Sequence, residues 1–176
     1  MLKKSLICVM LLMLALPVFS DDLIVSGRYV DAQKRGTGTW ATGYGGGVEV
    51  RTPITGALSC KFGAEYVRYG LARQNQPGEV ESFGPTLGLE LALHTQKGVK
   101  VSVGVTPKYL FVVDKTRPSS QKVVVAFGGS IEYGDADKVR VLVSGGYQEQ
   151  YLGSEVSDRD LFTGPYAKIG LVFPMK

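Results

Sequence analysis

The chain has 176 residues, 44% hydrophobic and 20% charged, with a formal net charge of +4. That length suggests one domain, and no acidic or basic tail or low-complexity linker divides it. Basic residues alternate with apolar ones instead of clustering, which argues against a nucleic-acid partner.

Residues 1–20 read as a signal peptide. Lys3 and Lys4 give a positive start, Leu6 to Leu16 an apolar run, and Val18 and Ser20 the small residues before a cleavage ahead of Asp21. The run is too short for a spanning helix, which needs ~20 residues, and Cys8 lies too early for a lipoprotein signal. The expected mature domain is 21–176. Losing Lys3 and Lys4 takes the 20 basic residues to 18 against 16 acidic ones, a charge of +2. Cys60 is then left alone, so no intrachain disulfide can staple the fold.

From there the sequence alternates with period two, which places successive side chains on opposite faces of strands. Strand one covers Leu23–Ala32 and strand two Thr39–Arg51, with Gln33–Gly38 between them. Thr52–Gly56 turns the chain into strand three, Ala57–Tyr69. A polar loop, Gly70–Glu81, leads to a long hairpin from Phe83 to Phe111. Its first arm sets Phe83, Leu87, Leu89, Leu91 and Leu93 against Gly84, Thr86, Gly88, Glu90 and His94. Its second sets Val99, Val101, Val103, Val105 and Tyr109 against Lys100, Ser102, Gly104 and Lys108. Thr95–Gly98 is the turn, with Gly98 where a positive φ is needed. After the loop Asp114–Gln121, strand six (Lys122–Tyr133) and strand seven (Lys138–Tyr151) flank the turn Gly134–Asp137. The charged loop Leu152–Leu161 precedes strand eight, Phe162–Met175. Arms of about a dozen residues exceed the usual ~5–6 of globular strands and approach the ~9–11 that cross a membrane.

Eight strands joined in sequence predict an all-β fold, an eight-stranded antiparallel up-and-down transmembrane β-barrel. Connections after strands two, four and six are short, and the others mostly longer and more charged, the asymmetry of an outer-membrane barrel with short periplasmic turns. Alternation also fits a soluble periplasmic lipocalin-like barrel around an apolar ligand, with the faces reversed. Gly43, Gly45, Gly47, Gly63, Gly88, Gly104, Gly128, Gly146 and Gly170 share the polar face. A narrow interior needs small residues there, whereas a watery surface does not. Aromatics such as Tyr29, Trp40, Tyr44, Tyr66, Tyr109, Tyr133 and Tyr147 fall on the apolar face, many near strand ends, where membrane girdles place them. The central parts of the apolar faces carry no charge, as lipid exposure demands.

The last strand, Lys168-Ile169-Gly170-Leu171-Val172-Phe173-Pro174-Met175, resembles the terminal signal of bacterial outer-membrane barrels: polar, any, Gly, two residues, aromatic, any, hydrophobic. The usual final aromatic is here followed by Pro174, Met175 and Lys176. In size and pattern the mature chain resembles the small eight-stranded OmpA-transmembrane-domain and OmpX-like barrels. The resemblance implies a bacterial outer-membrane location, contact with outer-membrane lipid, and recognition by the barrel-assembly machinery through Lys168 to Phe173.

His94 is the one histidine, and parity puts it on the lumen face with Ser102 and Glu90. Small lipid-modifying barrels use Ser, His and an acid facing lipid, but their His-x-Ser pattern is absent from His94-Thr95-Gln96. The expectation is a lumen histidine, with no catalytic, metal or cofactor-binding residue and no cofactor. Arg28, Lys61, Lys100, Lys108, Lys122, Arg140 and Lys168 face Glu49, Glu65, Glu90 and Glu132. Enclosed charges must pair, so the lumen is expected to be plugged by salt bridges. The functional expectation is a non-enzymatic structural or surface-interaction protein, with Gly70–Glu81 and Leu152–Leu161 as loops for a surface ligand. The alternatives are the soluble lipocalin-like barrel and the lipid-modifying enzyme.

Overall fold

The computed structural model describes residues 22–33, 40–72, 78–114, 117–152 and 162–175. The expected signal peptide, the connection 34–39, the inner parts of the loops at 73–77, 115–116 and 153–161, and the Trp40 side chain lie outside the described residues. Eight strands come in order: β1 (Asp22–Gln33), β2 (Trp40–Pro53), β3 (Leu58–Ala72), β4 (Gly78–Gln96), β5 (Val99–Asp114), β6 (Arg117–Tyr133), β7 (Arg140–Leu152) and β8 (Gly164–Pro174). Each pairs antiparallel with its neighbours in sequence, and β8 pairs with β1, closing a barrel.

The connections 54–57, 97–98 and 134–139 mark one end of the barrel, the turn end; the opposite end is the loop end. Lys97 (φ 47°) and Gly98 (φ 78°) both adopt the left-handed conformation that a two-residue hairpin turn requires. Neighbouring turns are tied together, since the Gly134 N–H donates to the Gly98 carbonyl at 2.8 Å.

Register fixes the barrel's shape. From Tyr66 one path of paired residues runs through Phe83 and Phe111 to Gln121 on β6. The other runs through Gly46, Gly27, Ile169 and Val143 to Ile131 on the same strand. The paths meet ten residues apart, a shear number of 10, which tilts the strands strongly against the barrel axis. Tight coiling forces neighbouring backbones together on the concave side. A Cβ at Gly45 would strike the Tyr66 carbonyl oxygen, and one at Gly146 the Phe127 carbonyl oxygen. The inward glycines are therefore explained by crowding; none of them lies at a break in register.

The faces are sorted as the alternation predicts. Val25, Leu87, Leu89, Leu91, Val103, Ile131, Val143, Ile169 and Leu171 point outward and are exposed. Outward tyrosines gather in the loop-end half (Tyr29, Tyr44, Tyr66, Tyr109, Tyr147 and Tyr151), with Tyr133 at the turn end. Phe111 stacks on Phe83 at 5.5 Å and meets Tyr109 edge-on at 5.3 Å. A soluble barrel with an apolar interior has the opposite arrangement, so that alternative is overturned.

Three sequence expectations are corrected. The segments read as the loops Gly70–Glu81 and Asp114–Gln121 are largely strand: β3 runs to Ala72, β4 starts at Gly78, and β6 starts at Arg117, pairing with Asp114. Their polar composition suggests loops, but polar residues continue a ladder as well as apolar ones. Strand seven begins at Arg140, because Lys138 donates its N–H to the Asp135 carbonyl and belongs to the turn. A bulge between Ala92 and His94 inserts Leu93 into the β4–β5 ladder. One extra residue reverses parity beyond it. His94 consequently pairs with outward Val101 and is exposed, not in the lumen.

Candidate functional site

The lumen is filled in three tiers, each built by the inward parity of its strands. Nearest the turn end is a ring to which seven strands contribute one charge each: Asp22, Arg51, Lys61, Glu90, Lys100, Glu132 and Arg140. Arg51 is its centre. Its guanidinium donates to Asp22 at 2.5 and 3.0 Å, to Glu90 at 3.0 Å and to Glu132 at 2.9 Å. Glu90 also accepts from Lys61 at 2.9 Å and Lys100 at 2.8 Å. Arg140 bonds Asp22 and lies 3.4 Å from Glu132. Glu90 is 2% exposed and Glu132 1%, so these carboxylates are held by protein cations rather than bulk water. On β8 the ring is completed by Val172, buried with Ile24 and Leu142.

The middle tier is smaller and mixed. Glu65 accepts from Arg28 at 2.8 Å and Lys108 at 2.7 Å, and Glu49 accepts from Lys168 at 2.6 Å. Arg28 also donates to the Gln148 side-chain oxygen at 2.6 Å and stacks 4.2 Å from the centre of the Tyr166 ring. A cavity of about 40 Å³ remains between Arg28, Glu49, Lys61, Glu90, Tyr166 and Lys168. That is room for about one water. A second recess of about 190 Å³ opens below the ring, against Lys100, Glu132, Asp135 and Arg140.

The loop-end tier departs from a polar lumen. Val30, Val67, Tyr69, Val80, Leu110, Val112, Val124 and Phe162 form one buried apolar cluster inside the barrel. Phe162, expected at the start of strand eight, lies before it and turns in, meeting Tyr69 edge-on at 5.1 Å. Its carbonyl accepts from the Gln148 amide at 2.8 Å. Lys122, also inward, is 1% exposed within this tier. Among the described residues the tiers hold eight basic side chains (Arg28, Arg51, Lys61, Lys100, Lys108, Lys122, Arg140, Lys168) against five acidic ones (Asp22, Glu49, Glu65, Glu90, Glu132).

All the inward charges expected from the sequence are thus in the lumen, and all but Lys122 are ion-paired there. Arg51, the centre of the ring, and its partner Asp22 are not among the charges expected from the sequence, because they sit at strand ends. The signal was available: Arg51 continues the parity of Glu49, and Asp22 that of Ile24, Ser26 and Arg28. Ser102 and Glu90 are inward, whereas His94 faces out, so the structure does not bring a Ser, His and acid together. Among the described residues no three His, Cys, Asp or Glu side chains are grouped to hold a metal ion.

A closed eight-stranded antiparallel barrel with an apolar outer belt and an ionic, packed lumen has the fold of a small outer-membrane β-barrel. No protein-family model matches the chain, and neither does any curated protein. Among solved structures it is similar to Neisserial surface protein A, at a TM-score of 0.61 and 12% identity, over 86% of this chain and 93% of that one. A trimer form of OmpT, an outer-membrane protein of Vibrio cholerae, aligns over 89% of this chain at 16% identity. This chain spans about half (52%) of that one, at a TM-score of 0.35, too distant a match to bear on the fold.

Proposed function

We propose that this chain is an integral protein of the bacterial outer membrane with a structural or surface-contact role and no catalytic activity. The observation that carries the reading is the inverted distribution of side chains. Large apolar groups form the outer belt, while charges are enclosed and cross-paired, as lipid outside and a sealed lumen inside require. Residues 1–20 serve as the signal peptide and 21–176 as the barrel domain, with the turn end in the periplasm. The C-terminal strand, Lys168 to Phe173, is the segment offered to the barrel-assembly machinery. The loop end, raised by the long β3–β6 strands, is where a surface ligand would meet the protein.

Cell fractionation tests the reading. Recovery is expected only from detergent-extracted outer membrane, with gel mobility that changes on boiling. Release with the soluble periplasm would refute it. Reconstituted in planar bilayers, the protein is expected to show no large steady conductance, because the ring and the apolar tier close the lumen in series.

A further inference from the structure

Lys122 does not fit its surroundings. Its side chain enters the barrel from β6, is 1% exposed, and its ammonium has no hydrogen-bond partner among the described residues. Its cross-strand neighbour is Leu110, and the next inward residue along its strand is Val124, both members of the apolar tier. Among the described residues, every other basic side chain of the lumen is ion-paired to a carboxylate.

A second unmet group lies beside it. Val124 pairs with Gln150 of β7, so Gln150 is the diagonal neighbour of Lys122 on the lumen face. Gln150 is 7% exposed, and both its side-chain nitrogen and its side-chain oxygen lack partners among the described residues. A buried charge without a counter-charge is heavily penalised, and so is a buried amide without a partner. The five lumen carboxylates are already engaged by cations in the two lower tiers. Among the described residues the interior holds three more positive than negative side chains.

We propose that the folded barrel binds one small inorganic anion, of the halide or phosphate class, between the Lys122 ammonium and the Gln150 amide. The ammonium supplies the charge and the amide N–H a second donor. The apolar neighbours Leu110 and Val124 offer no further polar group to a larger organic anion. The anion acts as a structural component that balances the loop-end tier, and the inference does not depend on what the loops contact.

The test uses the full chain refolded in an uncharged detergent. Folded fraction in urea is read from heat-dependent gel mobility while sodium chloride or inorganic phosphate is titrated, with sodium gluconate holding ionic strength constant. Above the dissociation constant, each tenfold rise in the small anion is expected to raise the folded-to-unfolded ratio tenfold. Lys122→Met is expected to fold and to show no response, whereas Lys122→Arg keeps it. Should Lys122→Met fail to fold, Gln150→Leu leaves the ammonium in place and is expected to weaken anion affinity about tenfold. The proposal is overturned if the wild-type ratio ignores the anion, if Lys122→Met responds as wild type does, or if Gln150→Leu binds unchanged.

Discussion

Removing the centre of the ionic ring gives the sharpest test of how the lumen is held. In Arg51→Leu, three carboxylates lose a shared guanidinium that is itself only 4% exposed. At a charge separation of about 4 Å and an effective dielectric of about 20, each pair represents roughly 4 kcal/mol of gross attraction. Much of that is offset by the desolvation of the guanidinium, which the leucine avoids. Glu90 keeps Lys61 and Lys100, and Asp22 keeps Arg140, which reduces the loss further. Breaking a buried pair by deleting one partner costs about 3–5 kcal/mol, and that is the expected destabilisation, roughly a 150- to 4,000-fold fall in the folded-to-unfolded ratio. Urea unfolding of the refolded barrel, followed through the chain's one tryptophan and by gel mobility, measures it. A loss below about 1 kcal/mol would mean that water enters the ring and screens it as at an exposed surface, and the reasoning would fail.

Three further outcomes concern separate parts of the barrel. Glu49→Leu strands the Lys168 ammonium and is expected to cost about 3–5 kcal/mol, whereas Glu49→Leu with Lys168→Met removes both charges and should restore most of it; a double variant no more stable than the single would contradict this. Gly45→Ala drives a Cβ into the β3 backbone and is expected to cost about 1–3 kcal/mol, while Gly56→Ala, with nothing within 4 Å, changes stability by less than about 0.5 kcal/mol; equal effects in the urea midpoint would refute the crowding account. In the β6–β7 turn, a hydrogen bond from Lys138 at 2.9 Å, together with its charge, holds the Asp135 carboxyl below its ordinary range. A depressed carboxyl favours the folded turn above the unfolded value and loses that contribution as pH falls through the folded one. Lys138→Met is expected to raise the Asp135 titration in an NMR pH series, with no measurable change in global stability because the pair is exposed; an unmoved titration would contradict the pairing.

Much of this fold was legible because a barrel with an apolar outer face and a polar inner one repeats one rule at every position. Parity alone sorted Leu87, Leu89 and Leu91 outward, and Glu49, Glu65 and Glu132 inward. It failed at His94 because a bulge carries no compositional mark: Leu93 looks like one more apolar residue, yet it reverses the facing of His94 after it. Strand ends were lost for a different reason. Glu79, Glu81, Ser120 and Gln121 are polar because they lie on the loop-end extensions, and the same polarity is the mark of a loop. The apolar tier was half-visible in Val30 and Val67, which share the inward parity. What alternation could not supply was Phe162 folding in from beyond the strand to pack on Tyr69.

The ring also bears on how the chain can be assembled. Its bonds join Asp22 on the first strand to Arg140 on the seventh, 118 positions later. Any intermediate lacking β7 therefore leaves Asp22 and Glu132 short of a cation, and its concave face needs water. Only closure satisfies the charges and dries the interior together. On the proposed membrane reading, a sheet that stops early, or joins in the wrong register, keeps these charges in water and cannot present a dry, paired interior.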